Sequence, residues 1–260
     1  MILIVGSNHD DVLYYESLLS SAEEVVILDK YHATIGRIAN QETMVIQDVY
    51  TSVVSSMLIM HIIDKYFISL IINVGRCEAI SDNLQVGDIA LSEAVVFGDV
   101  DQIAAVKGTT LGQIPGYPRS FAIDNVVVRN MYNSMDKIID KHFVPATFIS
   151  SSFFRQSKEQ VKNISKDEYI ASLNKFIVLD GESAGIALTA QLNRIPFIAV
   201  KVVEAKAGNY TSLEDYLMVL EEYAPVGKAI VNFIGEISRK DILRMGGNRQ
   251  RSFQEAKSHH

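Results

Sequence analysis

A single cysteine, five prolines and no tryptophan occur in this chain of 260 residues, and each scarcity excludes something. One cysteine, Cys77, forms neither an intramolecular disulfide nor a thiolate zinc site; it suits a reducing compartment, so a cytoplasmic protein is expected. Cys77 itself is expected to be a small buried hydrophobe. With 5 Pro and 15 Gly beside 48% hydrophobic and 21% charged residues, the chain is not collagen-like, low-complexity or disordered. Long apolar runs are also missing. The longest, Val53 to Ile63, contains Ser and His and stops at Asp64-Lys65, well short of the ~20 residues of a membrane span. The start, Met1-Ile2-Leu3-Ile4-Val5-Gly6, lacks a basic stretch and does not read as a signal peptide. Positive charge is in deficit as well: 24 basic against 31 acidic residues give −7, so neither nucleic acid nor a membrane surface is an expected partner.

What is present alternates. Residues 2 to 5 form an apolar run closed by Gly6, as in a strand buried on both faces, and Asp10 to Leu19 has helical spacing. Strands are predicted at 25–28, 43–47, 67–74, 88–96, 146–150, 176–179 and 197–203, and helices at 50–66, 122–140, 181–192 and 213–237. Buried strands between amphipathic helices imply a three-layer α/β/α fold around a mixed, largely parallel sheet. Residues 1–237 read as one domain. Residues 238–260 form a basic tail of charge +4, leaving −11 on the rest, and end in His259-His260, a possible tag remnant.

Ligands of such sheets collect at the carboxyl ends of the strands. Asp10 and Asp11 stand there at a helix start, where carboxylates serve as caps or as proton acceptors. Gly75-Arg76-Cys77-Glu78 reads as a turn holding a cation beside an anion, either an internal pair or a ligand clamp. Ser150 to Arg155 contains Phe154, suited to covering a flat ring or to core packing. Glu182, after Gly181, caps a helix or accepts from two neighbouring sugar hydroxyls. Glu204 lies between Lys201 and Lys206, as a solvated charge or a site acid. No histidine pair has the spacing of a helical zinc site, so no metal is expected. Lysine phosphate loops, G-x-G-x-x-G turns and G-x-S-x-G elbows are absent.

Four segments in order, Ile71-Ile72-Asn73-Val74-Gly75, Val86-Gly87-Asp88-Ile89, Gly112-Gln113-Ile114-Pro115-Gly116-Tyr117-Pro118 and Leu179-Asp180-Gly181-Glu182-Ser183-Ala184, resemble the 5′-methylthioadenosine/S-adenosylhomocysteine nucleosidases of the purine nucleoside phosphorylase superfamily. The resemblance covers residues 1–237. It implies hydrolysis of the adenine-ribose bond of a small purine nucleoside through an oxocarbenium-like cation, with no metal or organic cofactor, in a homodimer. By the same resemblance Asp11 takes the place of the water-activating glutamate, one methylene and roughly 1.5 Å shorter. Glu182 matches the ribose clamp, Phe154 and Arg155 the adenine-reading segment, and Pro115 a residue given across the dimer.

Several positions depart from the family. The purine-protonating aspartate aligns with Ala205, and Glu204 beside it substitutes if the loop shifts by one residue. Bulky Arg76, Cys77 and Glu78 follow Gly75 where the family has small residues, which narrows the pocket or adapts it to a charged group. Two alternatives therefore stand beside hydrolysis: a catalytically impaired nucleoside-binding homologue, and a phosphorylase using Arg76 as anion clamp.

Overall fold

The computed structural model describes residues 1–152, 159, 163 and 166–237. In chain order these form β1 (Ile2–Val5), α1 (His9–Leu18), β2 (Ser20–Ile27), β3 (Tyr31–Ile38), β4 (Gln41–Ile46), α2 (Thr51–Lys65), β5 (Leu70–Ala79), β6 (Ile89–Phe97) and β7 (Ser120–Ala122). There follow α3 (Asn125–Asp136), β8 (Phe143–Ser150), α4 (Glu168–Leu173), β9 (Ile177–Asp180), α5 (Ser183–Leu192), β10 (Phe197–Lys206) and α6 (Leu213–Glu236).

The ten-stranded sheet has the order β10-β6-β8-β9-β5-β1-β4-β3-β2, with β7 beside β6. β1 runs parallel to β4 and β5, β5 to β10, and β8 to both β6 and β9. The β2-β3-β4 meander and the pairs β5–β9, β6–β7 and β6–β10 are antiparallel. Because β10 pairs with both β5 and β6, the strands β5, β10, β6, β8 and β9 close into a ring, and the rest continue as an open sheet. α2 packs with α5, and α1 and α3 pack with α6, giving helices on both sides of the mixed sheet. Strands reading as unbroken apolar runs, such as Ile2–Val5, are buried throughout, as expected when both faces are covered.

Three departures from the sequence reading matter for the site. Residues 75–78 are not a turn: β5 continues to Ala79, paired with β10 on one side and with β9 on the other. β10 likewise runs to Lys206, so Glu204 lies inside the strand, at an irregularity where Val203 pairs with Cys77 and Ala205 with Glu78. Charged residues disguised both extensions, yet their backbone groups are satisfied by ladders and their side chains turn to a cavity. Lastly, the helix read over 122–140 is the shorter α3, which starts where Asp124 accepts a 2.7 Å bond from the Val126 N–H, while Ala122 ends β7. β3, β7 and α4 have no counterpart in the sequence reading.

Candidate active site

A cavity of about 600 Å³ opens where β1, β5, β9 and β10 reach their carboxyl ends, and Asp11, Arg76, Glu78, Glu182 and Glu204 line it. Five carboxylates face it, counting Asp180, which also lines the wall. Each is buried to below a tenth of its surface. Carboxylates this deep need partners.

Asp11 occupies the first turn of α1. Its Oδ2 accepts from the backbone N–H of Asn8 at 2.9 Å, so the capping role is real. Its Oδ1 accepts from the Tyr223 hydroxyl of α6 at 2.6 Å and lies 3.5 Å from Arg76 Nε. Gly75 makes this possible: it has φ +130°, and a Cβ there would meet Asp11 Oδ2 at 2.8 Å. Arg76 reaches on to Glu204, with Nη1 3.7 Å from Oε2, and its guanidinium lies 5.5 Å from the centre of the Tyr216 ring. Burial lowers the pKa of Arg76, but Asp11, Tyr223 and Glu204 outweigh it, and the value is raised. Glu204 is 8% exposed, so the solvated charge cluster is excluded.

The second cluster centres on Lys201, 1% exposed on β10. Its ammonium bonds Glu182 Oε1 and stands 3.1 Å from Asp180 Oδ2. Burial lowers the Lys201 pKa, while Asp180 and Glu182 more than offset this and raise it overall. Burial pushes the Glu182 carboxyl up, with Lys201 opposing and Asp180 adding to the rise. Asp180 also accepts from the Ser150 and Ser183 hydroxyls, and Asn73 Nδ2 donates to Ser183 Oγ at 2.9 Å. Glu182 sits at the N-cap of α5 without bonding it through its side chain, so its carboxylate is committed to the cavity and to Lys201. Its backbone is held from α2, where Ser55 Oγ donates to the Glu182 carbonyl at 3.1 Å. The helices approach this closely because residue 185 is glycine: a Cβ there would lie 2.1 Å from the Ser52 carbonyl.

Of the residues read from the sequence, Asp11, Arg76, Gly181, Glu182 and Glu204 line one cavity. Gly75 adjoins it and makes room for Asp11. Pro115 does not line it, and Phe154 and Arg155 lie outside the described residues. Ala205, 3% exposed, is not part of the wall, whereas Glu204 is. The sequence reading missed the tyrosines of α6, whose signal is their spacing of seven on one helix face, and Asp180, two residues before Glu182 in a strand-ending Leu-Asp-Gly-Glu. It also missed Lys201 as the counter-ion. Among the described residues no group of His, Cys, Asp and Glu has an arrangement that would hold a metal ion, and no helix is long and apolar enough to cross a membrane.

The comparisons agree with one another. A 5′-methylthioadenosine/S-adenosylhomocysteine nucleosidase of Staphylococcus haemolyticus is 28% identical over 223 residues, covering 84% of this chain and 92% of the relative. The nucleosidase of the same name from Oceanobacillus iheyensis is 24% identical over 236 residues, covering 90% and 98%. In fold, the chain superposes with a TM-score of 0.81 on the nucleosidase of Neisseria meningitidis in complex with methylthio-immucillin-A, at 19% identity and covering 91% and 99%. The S-adenosylhomocysteine nucleosidase of Streptococcus pyogenes, in complex with 5-methylthiotubericidin, gives 0.79 at 20% identity, covering 91% and 97%. Residues 1–233 match the pattern of the phosphorylase superfamily, and the chain belongs to that family.

Proposed function

We propose that this protein is a hydrolytic purine nucleosidase that cleaves the adenine-ribose N-glycosidic bond of 5′-methylthioadenosine or S-adenosylhomocysteine. The observation that carries the reading is the convergence of Asp11, Glu182 and Glu204 on one cavity, besides the nucleosidase relatives. In this scheme Glu204 is the group that passes a proton to the departing purine as the C1′–N bond breaks. Glu182 accepts from the ribose hydroxyls and supports the cationic sugar. Asp11 takes a proton from the water whose oxygen bonds to C1′. Arg76 and Gly181 complete the substrate wall, with Phe154 and Arg155 assigned to adenine through the resemblance alone.

Water rather than phosphate is the nucleophile in this scheme: the relatives are named nucleosidases, and Arg76, 3.5 Å from Asp11, already has an anionic partner. One observation favours a second reading: Arg76 stands where the family has a small residue, beside Asp11, and a protein whose water site is filled by a guanidinium would bind nucleosides without cleaving them.

We further assign the active form as a cytoplasmic homodimer of single-domain subunits, residues 1–237, with 238–260 as a separate tail. Val53, Met57 and Met60 expose an apolar stripe along α2, and Leu192 ends α5, which packs on α2. Such a stripe is what a covered face looks like in a lone chain, and Pro115 of a second copy would complete the site. Incubation with methylthioadenosine and measurement of adenine tests the activity. Release no greater than that of an Asp11→Asn, Glu182→Gln double variant refutes it, and calorimetry with the same nucleoside then distinguishes a binding protein from a structural one.

A further inference from the structure

Tyr216 and Tyr223 lie two turns apart on one face of α6 and grip consecutive carboxylates of α1. Tyr216 donates to Asp10 at 2.5 Å, and Tyr223 to Asp11 at 2.6 Å. The two oxygens of Asp11 are treated differently. Oδ2 is held by its own helix cap through Asn8, whereas Oδ1 faces Tyr223 and, at a longer 3.5 Å, Arg76. A cap bond through one oxygen leaves the carboxylate free to rotate about its stem. A second, short bond to the other oxygen from a different helix fixes its plane.

We infer that Tyr223 is a positioning residue for Asp11, holding the carboxylate in the orientation from which it takes the proton of the attacking water. The inference rests on the reading of Asp11 as the base. The groups around Asp11 are Asp10 on α1, Arg76 on β5, Glu204 on β10 and Tyr216 on α6, with Tyr15 and Tyr50 close enough to feel its charge. The Tyr223 hydroxyl, at 2.6 Å, lies closer to Asp11 than the Asn8 N–H at 2.9 Å or Arg76 at 3.5 Å. Since a misplacement of about 1 Å can cost on the order of a hundredfold in rate, loss of this hydroxyl is expected to act on kcat and not on nucleoside binding.

Tyr223→Phe removes the donor and keeps the ring. Expected with methylthioadenosine are a kcat lower by about tenfold or more and a KM within about twofold. In an Asp11→Asn background the same change is expected to cost less than about twofold further, because the group it orients is gone. A kcat within about twofold of the parent, or an equal loss in both backgrounds, overturns the inference. Should Tyr223→Phe not fold, Tyr223→Met, also without a donor, is measured in the same cycle. Full adenine release by Asp11→Asn would instead refute the role of Asp11, a separate outcome.

Discussion

Replacing Lys201 by methionine removes the cation from between Asp180 and Glu182 while roughly keeping the volume. Both carboxylates are almost wholly buried, and the ammonium bonds one and stands 3.1 Å from the other. Breaking a buried ion pair from one side costs about 3–5 kcal/mol, because the remaining charge has no water to return to. The fold has one way to limit the cost, which is to take up a proton on one carboxylate. Protonating a carboxyl with an ordinary value near 4 costs about 4 kcal/mol at pH 7, and about 1.4 kcal/mol less for each unit the pH falls. Burial and Asp180 already push Glu182 upward, so it is the group expected to take the proton. The sign follows. In the variant the folded state binds a proton the unfolded state has lost, so its deficit shrinks as the pH falls towards the ordinary carboxyl range. Urea unfolding of both proteins at pH 7 and pH 5 measures this. A loss of about 3–4 kcal/mol is expected at pH 7 and about 1 or less at pH 5. A loss below about 1 kcal/mol at pH 7, or one equal at both pH values, would refute the reasoning. Adding Asp180→Asn should restore a large part of the stability, since the surplus charge is then gone.

Other predictions are more local. Gly75→Ala places a methyl 2.8 Å from Asp11 Oδ2 in a backbone with φ +130°; a stability loss of about 1–3 kcal/mol is expected from chemical unfolding, together with reduced adenine release. Glu204→Gln should lower adenine release by about a hundredfold or more if Glu204 donates the proton, and an unaltered rate would return the role to another group. Cys77 is 2% exposed and burial pushes its thiol well above the ordinary value, so alkylation by iodoacetamide at pH 8 should be slow in the native protein and fast in urea. Asp167 is held below its ordinary carboxyl value: burial raises it, but the Arg119 guanidinium and the Ile170 N–H outweigh that. Its stabilisation is therefore complete above about pH 4 and lost as the pH falls through the lowered value. Asp167→Asn should destabilise at neutral pH and converge with the parent in acid, and a constant difference would count against the pairing.

Local pattern carried a good deal of this molecule. The run Ile2–Val5, the apolar faces of α2 and α6, and the breaks at Gly6 and Gly181 announce strands and helices because burial on both faces needs unbroken apolar residues and helices need a stripe. Motif order gave the family. The pattern fails where a strand leaves the core. Arg76, Glu78 and Glu204 break the apolar signal, yet β5 and β10 continue through them, since backbone pairing is indifferent to a charged side chain that has a cavity to face. β3 escaped for a related reason: its in-out alternation breaks at Thr34 and Ile35, both half-buried, and the inward position that follows is held by Gly36, which carries no apolar side chain.

Sequence by itself determined which carboxylates stand near strand ends and, in Gly181, the break that precedes Glu182. Gly75 reads as a break too, yet β5 runs through it. Only the tertiary structure decided what those carboxylates face. Asp11 meets Tyr223 from 212 residues away, and Lys201 meets Glu182 across 19. Glu204 rather than Ala205 lines the cavity, because an irregularity in the pairing of β10 with β5 turns it there. A linear pattern records the period of an element and the chemistry of a side chain. Which charges end within a few ångströms of one another is set by how strands close into a ring and helices pack over it, and partners set whether a buried carboxylate holds a sugar, moves a proton or only balances a lysine.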